Sequence, residues 1–194
     1  MKRNSPTRTT TELTPAAAIR ARRIRLADRR ALYALLRKAA ALAVFVFILF
    51  GVVFGLTPMK GGDMQPKFAA GDLLLYYRLQ DFYVRNDVVV MERDGSQYVA
   101  RIIGVPGDTI EITDAKTVRI DGSDIIETDI YFETEAFQEA VRYPLALAPG
   151  EYFLLGDNRE TAKDSRYFGP AKLDEFRGKV ISALRRTDLE AHHA

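Results

Sequence analysis

Residues 97–108 read QYVARIIGVPGD, and this stretch decides the class of fold. Tyr98 to Val105 is rich in apolar and β-branched residues, which is typical of a β-strand. It runs into Val105-Pro106-Gly107-Asp108, a group of turn-forming residues. A strand that stops at a Pro-Gly turn predicts β structure with tight connections.

The same pattern recurs on both sides of this stretch. Short apolar or alternating runs are separated by turn sequences such as Ala70-Gly71-Asp72 and Pro149-Gly150. The predicted strands are Leu73–Tyr77, Asp87–Met91, Tyr98–Val105, Thr109–Ile112, Val118–Ile120 and Tyr152–Leu155. Only Ala171–Arg177 and the N-terminal arm have the composition of a helix. The sequence therefore predicts a mainly β domain.

A second feature is the run from Ala39 to Leu56, which has 18 residues without a charge, amide or hydroxyl. This length approaches the ~20 residues that cross a bilayer as a helix. Arginines and lysines precede it, so the positive-inside rule predicts a cytoplasmic N-terminus and an outward-facing C-terminal part. A cleavable secretory signal is the alternative, but its apolar core would be shorter, and no small-x-small cleavage site occurs between Phe54 and Phe68.

These features give a prediction of four segments. They are a basic cytoplasmic arm (1–38), a transmembrane helix (39–57), an extracytoplasmic β domain (58–186) and a polar tail (187–194). The arm divides into residues 1–15, predicted to be disordered, and a helical part that sets topology or lies against anionic lipid headgroups.

Charge and composition exclude several classes of function. The net charge is +2, but residues 1–38 hold 11 Lys/Arg against 2 acidic residues, which leaves 17 against 24 for the rest. The globular part is thus net acidic, which argues against nucleic-acid binding. The chain has no cysteine, and its two histidines, His192 and His193, lie in the tail. We therefore expect no disulfide, no metal site, no histidine triad and no cofactor.

Three sequence clusters occur in a fixed order after the apolar run. They contain Asp63-Met64-Gln65-Pro66, then QYVARIIGVPGD at 97–108, then LGDNRETAKDSRYFGP at 155–170. This arrangement resembles the bacterial type I signal peptidase family (S26). Its members share a Ser-Met-x-Pro box, a Lys-Arg box ending in Gly-x-Pro-Gly-Asp, and a Gly-Asp-Asn-Arg-x-x-Ser-x-Asp-Ser-Arg box. The resemblance implies an antiparallel β domain that is anchored by one N-terminal transmembrane helix.

Position by position, the resemblance places the family's serine nucleophile at Asp63 and its lysine base at Ala100. The serine that orients the lysine falls at Ala162. The third box otherwise keeps its structural residues, which are Gly156, Asp157, Asn158, Arg159, Asp164, Ser165 and Arg166. The residues that the resemblance assigns to the substrate cleft are Asp63, Met64, Gln65, Pro66, Tyr98, Val99 and Arg101.

These substitutions remove the groups that the family's reaction needs, so we expect no catalytic residues. A serine attacks a peptide when a base takes its proton, and alanine offers no base. An aspartic-protease mechanism needs a second carboxylate that shares a proton with Asp63. Asp164 is the one candidate, but the family pattern makes it a structural partner of Arg166. Two serines considered as substitute nucleophiles, Ser96 and Ser165, are predicted to lie in solvated turns.

The leading hypothesis is a membrane-tethered binding protein that holds exported precursors or pilins as extended peptides. It resembles the noncatalytic signal-peptidase-like proteins that assist pilus assembly in Gram-positive bacteria. Asp63 then either recognises a lysine or amino group of the client or pairs with a lysine of this chain. The alternatives are an active signal peptidase with unusual residues, and a membrane protein with a decayed site. Lys67 departs from the small hydroxyl residue that the family usually carries after the proline.

Overall fold

The computed structural model describes residues 15–127, 130, 132–137 and 141–185, with side chains from residue 29 onward. Residues 1–14, which make up most of the segment predicted to be disordered, lie outside this range. So does the polar tail with its two histidines.

The N-terminal part of the described chain is a long helix, α1, from Pro15 to Ile48, followed by one π-helical turn from Leu49 to Val53. By length and composition, Arg29–Val53 is the one helix in the described ranges that is long and apolar enough to cross a membrane. Its apolar side chains are uncovered, and Phe47 is 73% exposed. The helical structure ends at Val53, so residues 54–57 of the predicted span belong to a strand.

The rest of the described chain is built from short strands. In chain order they are β1 Phe54–Pro58, β2 Leu73–Tyr77, β3 Val88–Arg93, β4 Ser96–Gly104, β5 Thr109–Ile112, β6 Val118–Ile120, β7 Ser123–Asp124, β8 Leu145–Ala146, β9 Glu151–Leu155, β10 Ala171–Lys172 and β11 Phe176–Leu184. A short helix, α2, spans Ser165–Phe168 between β9 and β10.

The strands form two antiparallel sheets. The larger sheet has seven strands in the order β1-β2-β11-β3-β4-β9-β10, and the smaller has four in the order β7-β6-β5-β8. Every described pair of strands is antiparallel. The prediction of a mainly antiparallel β domain with one N-terminal apolar helix is confirmed.

The larger sheet is buried on both faces at its centre, which explains the continuous apolar run in β3. Side chains alternate along a strand, so Val89 and Met91 pack on one face while Val88 and Val90 pack on the other. The same alternation along β9 sends Phe153 toward the core of the smaller sheet. These cores hold β4 and β9 rigidly, and the candidate site lies where these two strands meet the third sequence cluster.

The predicted helix over Ala171–Arg177 is wrong. Ala171 pairs with Tyr152 in β9, residues Leu173–Glu175 form a 3₁₀ turn, and Phe176 pairs with Met91 in β3. The helix-forming residues of this segment give only a weak local preference for a helix, and pairing with β9 and β3 overrides that preference.

Candidate functional site

Asp63 lies in the loop that follows β1. Backbone hydrogen bonds close the base of this loop, from Met59 N to Asp72 O at 2.8 Å and from Gly71 N to Met59 O at 2.8 Å. The carbonyl oxygen of Asp63 accepts a hydrogen bond from Asn158 N at 2.9 Å. The first and third sequence clusters are therefore joined directly at Asp63.

The neighbouring Met64 does not line an open cleft, contrary to its predicted place there. Its side chain is fully buried and packs with Leu74, Val90 and Val99. Burial of an apolar side chain of this size is favourable, so the packing of Met64 anchors the loop to the core. Gln65 and Pro66 are exposed at the loop surface.

Ala100 lies in β4 opposite Val89 of β3. It is only 3% exposed and packs in an apolar cluster with Ile102 and Leu154. The next residue, Arg101, is opposite Leu155, the last residue of β9. The register of these strands therefore brings Ala100 next to the start of the third cluster.

Gly156 lies against two of the three positions that the resemblance assigns to reactive groups, Asp63 and Ala162. A Cβ atom at Gly156 would lie 2.2 Å from the Cβ of Ala162 and 2.7 Å from the carbonyl oxygen of Asp63. Only a hydrogen fits in this space, because real Cβ atoms do not approach other heavy atoms so closely. Ala162 and Asp63 thus meet at one glycine, directly after the strand end beside Ala100.

The structure confirms the predicted pairing of Asp164 with Arg166. Both side chains are buried, and the guanidinium donates from Nε to Oδ1 and from Nη2 to Oδ2, each at 2.9 Å. Asp164 also accepts from Gly156 N at 3.1 Å and caps α2 by accepting from Arg166 N. This carboxylate is fully engaged in holding the glycine and the helix in place.

Ser165 is not in a solvated turn, so that prediction is wrong. It is completely buried as the first residue of α2, and its Oγ accepts a hydrogen bond from Leu154 N at 3.0 Å. The hydroxyl completes the hydrogen bonding of a strand end, which a buried backbone N–H requires. Ser96 is exposed, as predicted.

Two further ion pairs surround the site. Arg101 donates to both carboxylate oxygens of Asp157, at 2.7 Å and 2.5 Å. Arg159 is buried, donates to the carbonyl of Gly156 at 2.9 Å and pairs with Glu127. Glu127 was missed by the sequence analysis because it lies outside all three clusters and no motif marks it.

The carboxylate of Asp63 has a perturbed environment. Burial raises its pKa above the ordinary value of 3.8, and the nearby negative charge of Asp164 raises it further. No ion pair in the described part of the chain involves Asp63. The expectation that it could pair with a lysine of this chain is thus not met by any described lysine.

The raised pKa predicts the effect of Asp63→Asn on stability. The folded state binds the Asp63 proton more tightly than the unfolded state, so ionisation costs folding free energy at neutral pH. We expect the variant to melt a few degrees above wild type at neutral pH. The difference in melting temperature between the variant and wild type should shrink as the pH falls toward the ordinary pKa of a carboxyl group. Thermal unfolding of both proteins over this pH range tests the prediction, and a difference that widens on acidification would contradict it.

Two strand edges face each other beside Asp63 and Ala100. β1 pairs only with β2, and the Ser96–Ala100 part of β4 pairs with β3 on one side, since β9 begins to pair at Arg101. Thr57 Oγ1 donates to Gln97 Oε1 at 2.7 Å across the gap. Among the described strands, no other occupies these two edges. We define this gap as the edge cleft.

The other predicted cleft residues lie on or near the edge cleft. Tyr98 is half-buried against Phe168, with ring centroids 5.4 Å apart, and Val99 is almost fully buried. Arg101 faces away from Ala100 and is held by Asp157. In the described ranges, no group of three or more His, Asp or Glu side chains could hold a metal ion.

The sequence model of the family described as signal peptidase, peptidase S26, matches residues 32–184. The chain belongs to this family. It is similar to signal peptidase I of Bacillus licheniformis, with 32% identity over 66% of this chain and 75% of the relative. It is also similar to signal peptidase IB of Staphylococcus aureus strain Mu50, with 33% identity over 75% of this chain and 87% of the relative.

A signal peptidase I from Enterococcus faecalis V583 is among the similar crystal structures. It matches with a TM-score of 0.44 and 30% sequence identity, over 53% of this chain and 98% of that chain. The matched family region includes the loop of Asp63, both facing strand edges and the complete third cluster.

Proposed function

We propose that this signal peptidase family member binds an extended segment of an exported precursor without cutting it, and that it assists surface-protein or pilus assembly. The observation that carries this proposal is the pair Asp63 and Ala100. In the family's motif order these residues take the positions of the serine nucleophile and the lysine base.

The surroundings of this pair support the loss of peptidase chemistry. Ser165 is buried and hydrogen-bonded to the backbone, so its hydroxyl is not available as a substitute nucleophile. Both carboxylate oxygens of Asp164 accept hydrogen bonds from Arg166, and one also accepts from Gly156 N, so this carboxylate is engaged structurally and is not placed as the second member of an aspartic-protease pair. Neither route replaces an activated serine.

The edge cleft supports binding of an extended peptide. Unpaired backbone N–H and C=O groups on a strand edge can add a further strand, and main-chain hydrogen bonds then supply affinity. Both edges lead toward Asp63 and Ala100, since the polar contact between Thr57 and Gln97 lies shortly before each of them in the chain. A client strand in this gap would pass beside the substituted positions.

Asp63 gives the cleft a preference for a cationic client residue. Its carboxylate is half-buried next to the charge of Asp164, and no described cation of this chain neutralises it. An ammonium or guanidinium group of the client would offset the unfavourable ionisation and form a charge-assisted hydrogen bond. A lysine or arginine on the bound segment is the expected partner.

The N-terminal helix supports anchoring in the membrane. Arg29–Val53 is long enough to cross a bilayer, and the arginines before it favour a cytoplasmic N-terminus. The β domain would then face the outside, where exported precursors emerge. The sequence placed the span at 39–57 and the domain at 58–186; because the helical structure ends at Val53 and β1 begins at Phe54, the proposed span ends at Val53 and the proposed domain begins with β1.

The proposal predicts binding without cleavage. The full chain in lipid nanodiscs is incubated with pilin precursors of the same organism and with a preprotein that bears an Ala-x-Ala site. We expect a precursor to be retained by the nanodiscs and to stay intact by mass spectrometry. Gln97→Trp should weaken binding about tenfold or more by filling the edge cleft. Ile181→Trp, at a position that is exposed on β11, is the control and should bind normally.

Two outcomes would overturn the proposal. Specific cleavage that disappears in Asp63→Ala would identify an active signal peptidase, which is the competing function that the relatives' names favour. No retention of either precursor, together with no cleavage, would indicate a membrane protein whose site has decayed.

A further inference from the structure

A groove of about 420 Å³ adjoins the edge cleft. Arg101 and Ile103 reach it from β4, immediately after Ala100, and Lys67 reaches it from the loop that carries Asp63. Its opposite side is formed by Ile120 of β6 and by Ile125, Ile126 and Ile130. We define this feature as the isoleucine groove. It shares one loop and one strand with the edge cleft.

The floor of the isoleucine groove is rigid and its rim is open. Ile103 and Ile120 are buried members of the core of the smaller sheet. Ile126, on the rim, is 92% exposed. A large apolar side chain in solvent beside a preformed groove, lined by isoleucines and by polar side chains, is typical of a binding surface. The apolar contacts here need a partner from outside the described chain.

The charges around the groove leave one cation without an ion pair in the described part of the chain. Arg85 is paired with Asp108, Arg101 with Asp157, and Glu127 with Arg159. Lys67 is exposed and makes no ion pair with the described residues. The groove thus combines isoleucine side chains and ion-paired polar groups with one cation, Lys67, that has no ion pair among the described residues.

We propose that the isoleucine groove is a second subsite for the client peptide, and that it takes an apolar side chain flanked by a carboxylate that contacts Lys67. This inference rests on the proposed function, because the same extended client occupies the edge cleft. The shared loop and strand make the two surfaces continuous, so one peptide can contact both. The charge of Lys67 selects an acidic residue beside the apolar one.

The test locates the peptide on the full chain in nanodiscs by methyl NMR, with labelled isoleucine and methionine. The probe is a synthetic peptide with the segment Lys-Ala-Gln-Ala followed by Leu-Glu-Ile-Leu. We expect it to shift the methyl resonances of Ile126 and Ile130 in the groove and of Met64 under the Asp63 loop. The resonance of Ile181, which is exposed on β11, should not move.

Variants test the charge and the apolar contact separately. Lys67→Glu should weaken binding of this peptide about three- to tenfold and should favour a matched peptide with lysine in place of glutamate. Ile126→Ser should weaken both peptides, and its exposure means that folding is unaffected. Lys172→Glu removes an exposed lysine on β10 and is the charge-matched control, with unchanged affinity expected.

The outcomes separate this inference from the proposed function. Shifts at Met64 without shifts at Ile126 and Ile130 would overturn the second subsite and leave the edge cleft intact. Equal losses for Lys67→Glu and Lys172→Glu would overturn the role of Lys67. No shift at any of these methyl groups at saturating peptide would overturn both proposals.

Discussion

Replacing Asp164 with alanine is expected to destabilise the β domain by about 3–5 kcal/mol, because it leaves the buried guanidinium of Arg166 without its carboxylate. Arg166 is completely buried and makes two hydrogen bonds of 2.9 Å to Asp164. Its Nη1 atom has no hydrogen-bond partner in the described chain. The guanidinium carbon Cζ lies 5.3 Å from the ring centroid of Phe137, within the range of a cation–π contact. An uncompensated charge at this depth cannot reach water.

The loss also reaches the candidate site. Asp164 accepts from Gly156 N and caps α2, so its removal frees the turn that contacts Asp63 and Ala162. For a chain of this size, the expected loss corresponds to a fall in melting temperature of roughly 6–20 °C. Thermal unfolding of the full chain in nanodiscs measures it.

A matched control separates burial from pairing. Asp124 forms an exposed pair with Arg119 at 2.8 Å, and Asp124→Ala is expected to cost no more than about 1 kcal/mol. Asp164→Asn keeps the shape of the side chain but removes its charge. The stability that it loses should therefore lie between the losses of Asp164→Ala and Asp124→Ala. If Asp164→Ala and Asp124→Ala lowered the melting temperature equally, the buried pair would not be the support of the site that its geometry indicates.

The strands could be predicted where a period-two pattern and turn residues agreed. The predicted Leu73–Tyr77, Thr109–Ile112 and Val118–Ile120 are strands with these same bounds. The two-residue strands β7 and β8 were not predicted, because two residues carry no periodicity. The segment 171–177 shows the opposite failure, since its helix formers were outweighed by pairing that links residues far apart in sequence.

The site could be predicted only in its sequence-local parts. Asp164 and Arg166 are two residues apart in one motif, so their pairing followed from the resemblance. The contact between Thr57 and Gln97 joins residues 40 positions apart, and it depends on how the larger sheet curves. The burial of Met64 and Ser165 likewise depends on packing from other strands. Such features follow from tertiary structure, which a single sequence does not specify locally.

The largest functional change is expected from restoring the family's reactive groups. The triple variant Asp63→Ser, Ala100→Lys and Ala162→Ser supplies a nucleophile, a base and an orienting hydroxyl. A lysine at position 100 would extend from an apolar, buried site, and burial lowers the pKa of an ammonium group toward the range of a working base. We expect specific cleavage of a bound precursor, at a rate at least about a hundredfold above the background of wild type.

The single variants should stay inactive, because nucleophile and base act as one unit and their effects do not add. Asp63→Ser lacks a proton acceptor, and Ala100→Lys places an ammonium beside the carboxylate of Asp63 without an attacking oxygen. A lysine also adds volume to a packed position, at a cost of roughly 1–3 kcal/mol, so thermal unfolding must show that the triple variant is folded. Mass spectrometry of the client then decides the case. If the folded triple variant binds a precursor and leaves it uncut, positions 63 and 100 do not correspond to the family's reactive pair.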